Sequence, residues 1–307
     1  MKDNKNNSGF TLIEMSIVLV IIGLIVGGIL VGVDMVNAAA IRAQISQIEK
    51  YNTAVHTFQS KYGYLPGDIP NPYASQFGFQ SRGNYPGTGD GNGILQGFDP
   101  GDGYANGLFE NGETTMFWVD LSTANLIDGT FNTASGYTMP LSTVTAATTP
   151  SLNNYFPTAK IGNSNNVIVW SGGLNYYSTA HNTGDSINYF AVTGISAMTN
   201  QHAYLISPSF MSITVAQAYA IDSKIDDGYP MTGKVLAVGP RWYNSSLAGQ
   251  GANSAPSTAA TPGSTTTCFD NSSASGGTPG VTGATQHYSL EMSSGANVNC
   301  VLSFSFQ

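Results

Sequence analysis

Glu14 is the residue of this chain whose position most clearly calls for a chemical partner. It lies at the start of an uncharged apolar run of 19 residues, residues 15–33. A helix of that length spans the hydrocarbon core of a bilayer, where a carboxylate costs about 2.5–3.5 kcal/mol at the centre. A carboxylate out of contact with water pairs with a cation or takes up a proton. We therefore expect Glu14 to pair with a positive group.

The residues around Glu14 read Gly-Phe-Thr-Leu-Ile-Glu at positions 9–14. This hexapeptide resembles the processing site of type IV pilins and type II secretion pseudopilins. The resemblance implies that a prepilin peptidase cuts between Gly9 and Phe10 and N-methylates Phe10. It also implies that Glu14 meets the α-amine of a neighbouring subunit. Many members of that family have proline, which kinks a helix, at the position that Val31 occupies here. Because this chain lacks that proline, a helix kink at Val31 is not expected.

Two other interpretations of the N-terminus stay open. The first is a secretory signal peptide, because Lys2 and Lys5 precede the apolar run and the small residues at 38–40 satisfy a cleavage rule. The apolar run exceeds the usual 7–15 residues of such a peptide, and Glu14 is then unexplained. The second is a plain membrane anchor, which would look similar without a cut after Gly9.

Composition favours an exported, β-rich head. Charged residues make up 9% of the 307 residues, the net charge is −8, and there are 36 glycines, 16 tyrosines and 14 phenylalanines. A disordered chain would lack these aromatic residues. Nonspecific nucleic-acid binding depends on Lys and Arg side chains that contact phosphates. Because the net charge is negative, no direct nucleic-acid contact is expected.

The predicted fold class is α+β, with a long N-terminal α-helix packed against an antiparallel β-sheet head that carries large loops. Apolar residues recur every three or four positions from Ile41 to Tyr62, which predicts one helical stripe, and Gly63 supplies a stop. The expected organisation is a leader at 1–9, a transmembrane and assembly helix at 10–33, its amphipathic half at 34–62, and a globular head at 63–307. A Ser/Thr/Gly-rich loop is expected near 244–286.

The chain has two cysteines, Cys268 and Cys300. An oxidising, exported location favours a disulfide between them, which would close a loop of about 30 residues and contribute about 3–4 kcal/mol. The resemblance agrees, because the family often joins its C-terminal region in this way. The alternative is two free buried thiols.

A glycine-rich segment between residues 90 and 113 crowds oxygen-bearing side chains together, as calcium loops do. The residues predicted to bind calcium are Asp90, Asn92, Asp99 and Asp102, with Asn106, Glu110 and Glu113 nearby. Secretion pseudopilins can bind calcium in the head, which supports this interpretation through the resemblance. The spacing does not match an EF-hand, and the alternative is a set of Asx-rich turns. No other cofactor is predicted.

Enzyme activity is not expected. The four histidines are scattered, and neither a His-Glu-x-x-His nor a Gly-x-Ser-x-Gly motif is present. A Gly-Asp-Ser-Ile block at 184–187 resembles an esterase nucleophile block, but no Asp-x-x-His follows it.

The predicted function is a structural subunit of a type IV pilus-like filament. The alternatives are a type II secretion pseudopilin and a membrane-anchored, adhesin-like binding protein. The implied partners are like subunits, the prepilin peptidase and an inner-membrane assembly platform. The implied location is the inner membrane, with the head in the periplasm, followed by a surface filament or a periplasmic pseudopilus.

Overall fold

A computed structural model describes residues 11–83, 87–98, 105–106, 111–134, 144–145, 148, 151–162, 165–171, 187–195, 197–198, 205–206, 213–230, 232–237, 268–270, 287–290 and 293–306. Among these residues the α-helices are α1 (Leu12–Tyr62), α2 (Tyr73–Gln76), α3 (Glu113–Thr123) and α4 (Val215–Ile225). Short 3₁₀ turns cover Leu152–Asn154 and Ser293–Gly295. The strands are β1 (Gly97–Phe98), β2 (Ala105–Asn106), β3 (Val144–Thr145), β4 (Asn165–Ser171), β5 (Asn188–Gly194), β6 (Ala197–Met198), β7 (Leu205–Ile206), β8 (Ile213–Thr214), β9 (Val235–Leu236), β10 (Phe269–Asp270), β11 (His287–Tyr288), β12 (Val298–Cys300) and β13 (Leu302–Ser305).

Helix α1 runs without interruption through both predicted halves. Its 51 residues have a length of roughly 75 Å at 1.5 Å per residue. It ends at Gly63, whose φ of 79° is the left-handed conformation that glycine adopts readily, and the Gly63 N–H donates to the carbonyl of Gln59. The predicted single helix and its glycine stop are therefore confirmed.

The central sheet has the order β4-β5-β13-β9, and each neighbouring pair is antiparallel. β4 and β5 pair over seven positions, from Asn165 opposite Gly194 to Ser171 opposite Asn188, and every residue of both strands is buried. The strand β13 lies between β5 and β9 and pairs with both, so it joins them into one sheet. The α+β class with an antiparallel head is confirmed.

The second half of α1 packs against this sheet and α3 through aromatic side chains. Tyr51 lies 5.1 Å from Trp118 of α3 and 5.9 Å from Phe190 of β5, measured between ring centroids. Phe58 is fully buried beside Phe79. The apolar stripe predicted from Ile41 onward is thus the face on which the head is built.

Two predicted helix ends differ from the structure. The residue pattern of 114–127 predicts a helix over that range, but α3 ends at Thr123, because Asn125 takes a φ of 56° and turns the chain. Helical spacing over 214–226 likewise predicts a helix capped by Gly228, but α4 ends at Ile225 and its C-cap is Asp226. Gly228 instead donates its N–H to the Asp222 side chain, so it belongs to the following turn.

Candidate functional site

The N-terminal half of α1 is an apolar surface that the head does not cover. The large apolar side chains between Leu12 and Val36 are 48% to 87% exposed, and the first residue of α1 buried against the head is Ile41. The helix is long and apolar enough to cross a membrane, and none of its most apolar 18-residue window is buried. An exposed apolar surface of this size is typical of a helix that contacts lipid or other apolar helices.

Glu14 begins this helix as part of a capping box. Its carboxylate accepts hydrogen bonds from the backbone N–H of Thr11 at 2.7 Å and from the Thr11 hydroxyl at 2.9 Å, while its own N–H donates to the Thr11 oxygen at 3.3 Å. Both Thr11 bonds go to Oε2. Such a box satisfies N–H groups that the first helical turn leaves without partners. Glu14 therefore has a structural role in its own helix, which the sequence interpretation missed although the Thr-x-x-Glu spacing signals it.

Two glutamines join the head half of α1 to the segment before β4. The Gln44 side chain accepts from the backbone N–H of Lys160 at 2.7 Å. Gln47 donates to the carbonyl of Thr158 at 2.9 Å and to the hydroxyl of Tyr51 at 3.0 Å. Both glutamines are buried. These bonds fix the rotation of the head half of α1 relative to the head.

The predicted processing residues Gly9 and Phe10 lie outside the described residues, as do the predicted calcium ligands Asp99 and Asp102. Residues 184–186 of the Gly-Asp-Ser-Ile block also lie outside the described residues. The cleavage, the methylation and the pairing of Glu14 with a neighbouring subunit therefore stay predictions.

The predicted calcium ligands Asp90 and Asn92 lie in a turn that two buried carboxylates organise. Oxygen atoms of Asp68, Asp90 and Glu113 lie within 4.8 Å of one another. Asp68 accepts from the backbone N–H groups of Gly91 at 2.7 Å and Gly93 at 2.8 Å. The sequence interpretation counted Glu113 among the nearby oxygens but missed Asp68, whose only local signal is a Pro-Gly-Asp turn.

Burial dominates the electrostatics of this group. Burial raises the pKa of Asp68 to about 7, and the neighbouring Asp90 adds to the rise. Burial also holds the pKa of Glu113 well above its usual value, with Asp68 and Asp90 adding to it, while hydrogen bonds from Gln96 and Gly89 oppose the rise. A cation or protons would relieve the accumulated negative charge. Calcium binding at this turn stays a prediction.

A buried ion pair holds the same region onto α3. Arg82 donates to Asp120 at 2.5 Å, and neither side chain is exposed to solvent. The same oxygen of Asp120 accepts from the backbone N–H of Gly67 at 2.6 Å. Gly67 has a φ of 85°, and a Cβ placed there would lie 2.2 Å from the carbonyl oxygen of Glu113. Gly67 and Arg82, the two ends of the 67–82 segment, are thereby held against α3.

Cys268 and Cys300 form the predicted disulfide, with their Cα atoms 5.0 Å apart. It joins the residue before β10 to β12, which pairs with β8. Of the predicted loop at 244–286, only residues 268–270 are among those that the structure describes.

Comparison with known proteins gives one result that bears on function. The family model described as the prokaryotic N-terminal methylation motif matches residues 4–30. No curated protein and no solved structure matched the chain. The matched residues include Gly9, Phe10 and Glu14 and lead into the uncovered half of α1. The chain thus carries the N-terminal methylation motif that is the signature of type IV pilins and pseudopilins.

Proposed function

We propose that this chain is a structural subunit of a type IV pilus-like filament, cut after Gly9, methylated on Phe10 and polymerised through α1. The observation that carries the proposal is the exposed apolar half of α1, whose first residues lie within the methylation motif matched at 4–30. The described part of the head buries the stripe from Ile41 onward, whereas residues 12–37 are all exposed.

An apolar helix of this kind has two stable surroundings. In a precursor it lies in the inner membrane, with the head in the periplasm, and in a filament it lies among the same helices of like subunits. Its apolar surface stays out of water in both, so transfer between them has little hydrophobic cost. An inner-membrane assembly platform is the expected partner for that transfer.

Glu14 supplies specificity in this scheme. Oε2 is used by Thr11, and a carboxylate with two oxygens can accept from further donors through Oε1. The α-amine that the cut would create on Phe10 of a neighbouring subunit is a donor of the right charge. A charge pair in surroundings that exclude water is much stronger than one in water, so it would set the axial register between subunits.

The first test is the mature N-terminus, measured by mass spectrometry of protein from the native envelope. A chain beginning with N-methylated Phe10 is the expected result. A chain that retains residues 1–9 would refute the processing step and would assign a plain membrane anchor, the arrangement of an adhesin-like protein. A chain cut near residue 40 would assign a signal peptide.

The second test compares filament yield for Glu14→Ala, Glu14→Gln and Glu49→Ala. Glu49 is a matched control, because it is an exposed glutamate on the same helix and lies in the head half. We expect Glu14→Ala and Glu14→Gln to lose sheared filaments while the subunit still accumulates in the membrane, and Glu49→Ala to assemble normally. Glutamine keeps an acceptor for Thr11 but lacks the charge, so normal assembly by Glu14→Gln would sink the proposed ion pair.

The location of the filament decides between the two assemblies that use this motif. Immunogold label along surface filaments supports a pilus subunit. Filaments confined to the periplasm would instead assign the chain to a secretion pseudopilus.

A further inference from the structure

Three aspartates meet where α4 ends. Carboxylate oxygens of Asp222, Asp226 and Asp227 lie within 4.8 Å of one another. Asp222 is fully buried, Asp226 is partly buried and Asp227 is exposed. Like charges this close repel one another, and the buried member has no water to screen it.

Each carboxylate is held by hydrogen bonds. Asp226 accepts from the backbone N–H groups of Lys234 and Val235, and Asp227 accepts from the N–H of Tyr229 at 2.9 Å. Asp222 accepts from the N–H of Gly228 at 3.2 Å and, on its other oxygen, from the hydroxyl of Tyr288 at 2.8 Å. Two of the three aspartates thus hold the turn that leads to β9. Asp222 alone of the three is bonded to the hairpin formed by β10 and β11.

Tyr288 belongs to β11, which pairs with β10 to form that hairpin. Its ring packs edge-on against Tyr219 of α4 at 5.9 Å, next to its bond with Asp222. Immediately before β10, Cys268 accepts from the N–H of Ser289 at 3.1 Å and is joined by the disulfide to Cys300. If Tyr288 left α4, the hairpin would remain attached through the disulfide.

We propose that Asp222, Asp226 and Asp227 form a pH-operated latch that holds the β10–β11 hairpin against α4 at acidic pH and releases it at alkaline pH. A proton on the trio relieves the repulsion and lets Asp222 stay buried beside Tyr288. When the trio is fully ionised, opening lets Asp222 reach water, and the disulfide keeps the released hairpin on the molecule. The latch is independent of filament assembly.

The direction follows from linkage. Burial raises the pKa of Asp222 to about 7, and Asp227 and Asp226 add to the rise, while the bonds from Tyr288 and Gly228 oppose it. The open form has an ordinary carboxylate, so the closed form binds the proton more tightly. Closure is therefore favoured at low pH and weakens as the pH rises through about 7.

Other charged groups lie on the elements around the trio. Lys224 is in the last turn of α4, Lys234 follows the turn, and the His287 ring lies 5.5 Å from that of Tyr229. The strand β10 carries Asp270, which pairs with His287 in the β10–β11 register, whereas β8, β9 and β12 contribute no free titratable side chain. α1 also packs against α4 and carries these charged or titratable residues in its head half: Arg42, Glu49, Lys50, His56 and Lys61. His287 directly precedes Tyr288 on β11, so its effect on the hairpin must be separated from that of Asp222 by experiment.

Hydrogen exchange of the full-length chain in detergent micelles with EDTA tests the latch. We expect protection factors of residues 287–290, corrected for intrinsic rates, to fall at least ~10-fold between about pH 5.5 and about pH 8. Protection of β4 and β5 is the internal control and should stay constant. Asp222→Asn keeps an acceptor for Tyr288 but cannot ionise, so its hairpin should stay protected at both pH values.

Two further variants keep the proposal falsifiable if Asp222→Asn fails to fold. Asp227→Asn removes an exposed neighbouring charge and should move the midpoint of the release to lower pH. His287→Gln should leave the midpoint unchanged. Constant protection in the unmodified protein, an unchanged midpoint in Asp227→Asn, or loss of the transition in His287→Gln would each overturn the latch.

Discussion

Replacing Asp120 with asparagine tests how the 67–82 segment is held to α3. Arg82 and Asp120 are both fully buried and lie 2.5 Å apart. Asparagine has nearly the same shape and still accepts from the N–H of Gly67, so the change removes the charge and places an amide donor where the second Asp120 oxygen is buried without a hydrogen-bond partner. The Arg82 guanidinium then stays buried without its anion.

The expected cost is large because an uncompensated buried charge is costly. Removing one partner of a buried pair typically costs about 3–5 kcal/mol. At roughly 2–3 °C per kcal/mol for a domain of this size, the melting temperature should fall by roughly 6–15 °C. Thermal unfolding of the full-length chain in detergent, followed by fluorescence of the buried Trp118 and Trp170, measures the shift.

Two variants make the result specific to the ion pair. Glu49→Gln changes an exposed carboxylate and should alter the free energy of unfolding by less than about 0.5 kcal/mol. Arg82→Met combined with Asp120→Asn removes both charges and keeps the acceptor for Gly67, so it should recover most of the lost stability. If Asp120→Asn melts within a degree or two of the unmodified protein, or the double variant is no better than the single one, the pair does not hold this segment.

Four further outcomes are expected. Replacing Cys268 and Cys300 together with serine should lower the free energy of unfolding by about 3–4 kcal/mol, measured by denaturant titration of the full-length chain, and a loss below about 1 kcal/mol would contradict the loop argument. Phe58→Ala should cost about 3–5 kcal/mol in the same titration, because the ring is fully buried between α1 and the head, whereas Phe58→Leu should cost much less. Because burial raises the pKa of Asp68 to about 7, the folded state loses stability as this carboxyl ionises. With EDTA present, the melting temperature should therefore fall as the pH rises from about 5 to about 8. A melting temperature that does not change over this range would show that the pKa of Asp68 is not raised. If calcium binds at this turn, about 1 mM calcium should restore the melting temperature at about pH 8, and Glu113→Gln should abolish this effect. Calorimetry that detects no calcium binding would contradict the prediction.

The local features of this chain could be read from its sequence, because neighbouring residues decide them. The apolar run at 15–33, the stripe from Ile41 and the stop at Gly63 depend on helical spacing and on one glycine, and all three appear in α1. The short apolar runs at 166–170 and 189–192 predict strands, and they lie within β4 and β5. The end of α4 does not follow from its local pattern, because Asp222 of α4 itself accepts from the N–H of Gly228, the expected cap.

The partners of the buried polar groups could not be read in this way. Arg82 pairs with a residue 38 positions away, and Tyr288 with one 66 positions away. Asp68 looked like an ordinary turn residue until the fold placed it beside Glu113. Such groups lose water only when distant segments pack, so their partners are chosen by the whole fold.

The sequence by itself determined the methylation motif, the membrane-length helix that begins within it and the presence of two cysteines at positions 268 and 300. Only the tertiary structure decided that the head covers α1 from Ile41 onward and leaves the preceding half bare. It also decided that three separate carboxylates meet at the 87–96 turn and that the hairpin of Tyr288 rests on Asp222. Motifs and periodicity act along the chain, whereas burial and charge pairing depend on which surfaces meet in space.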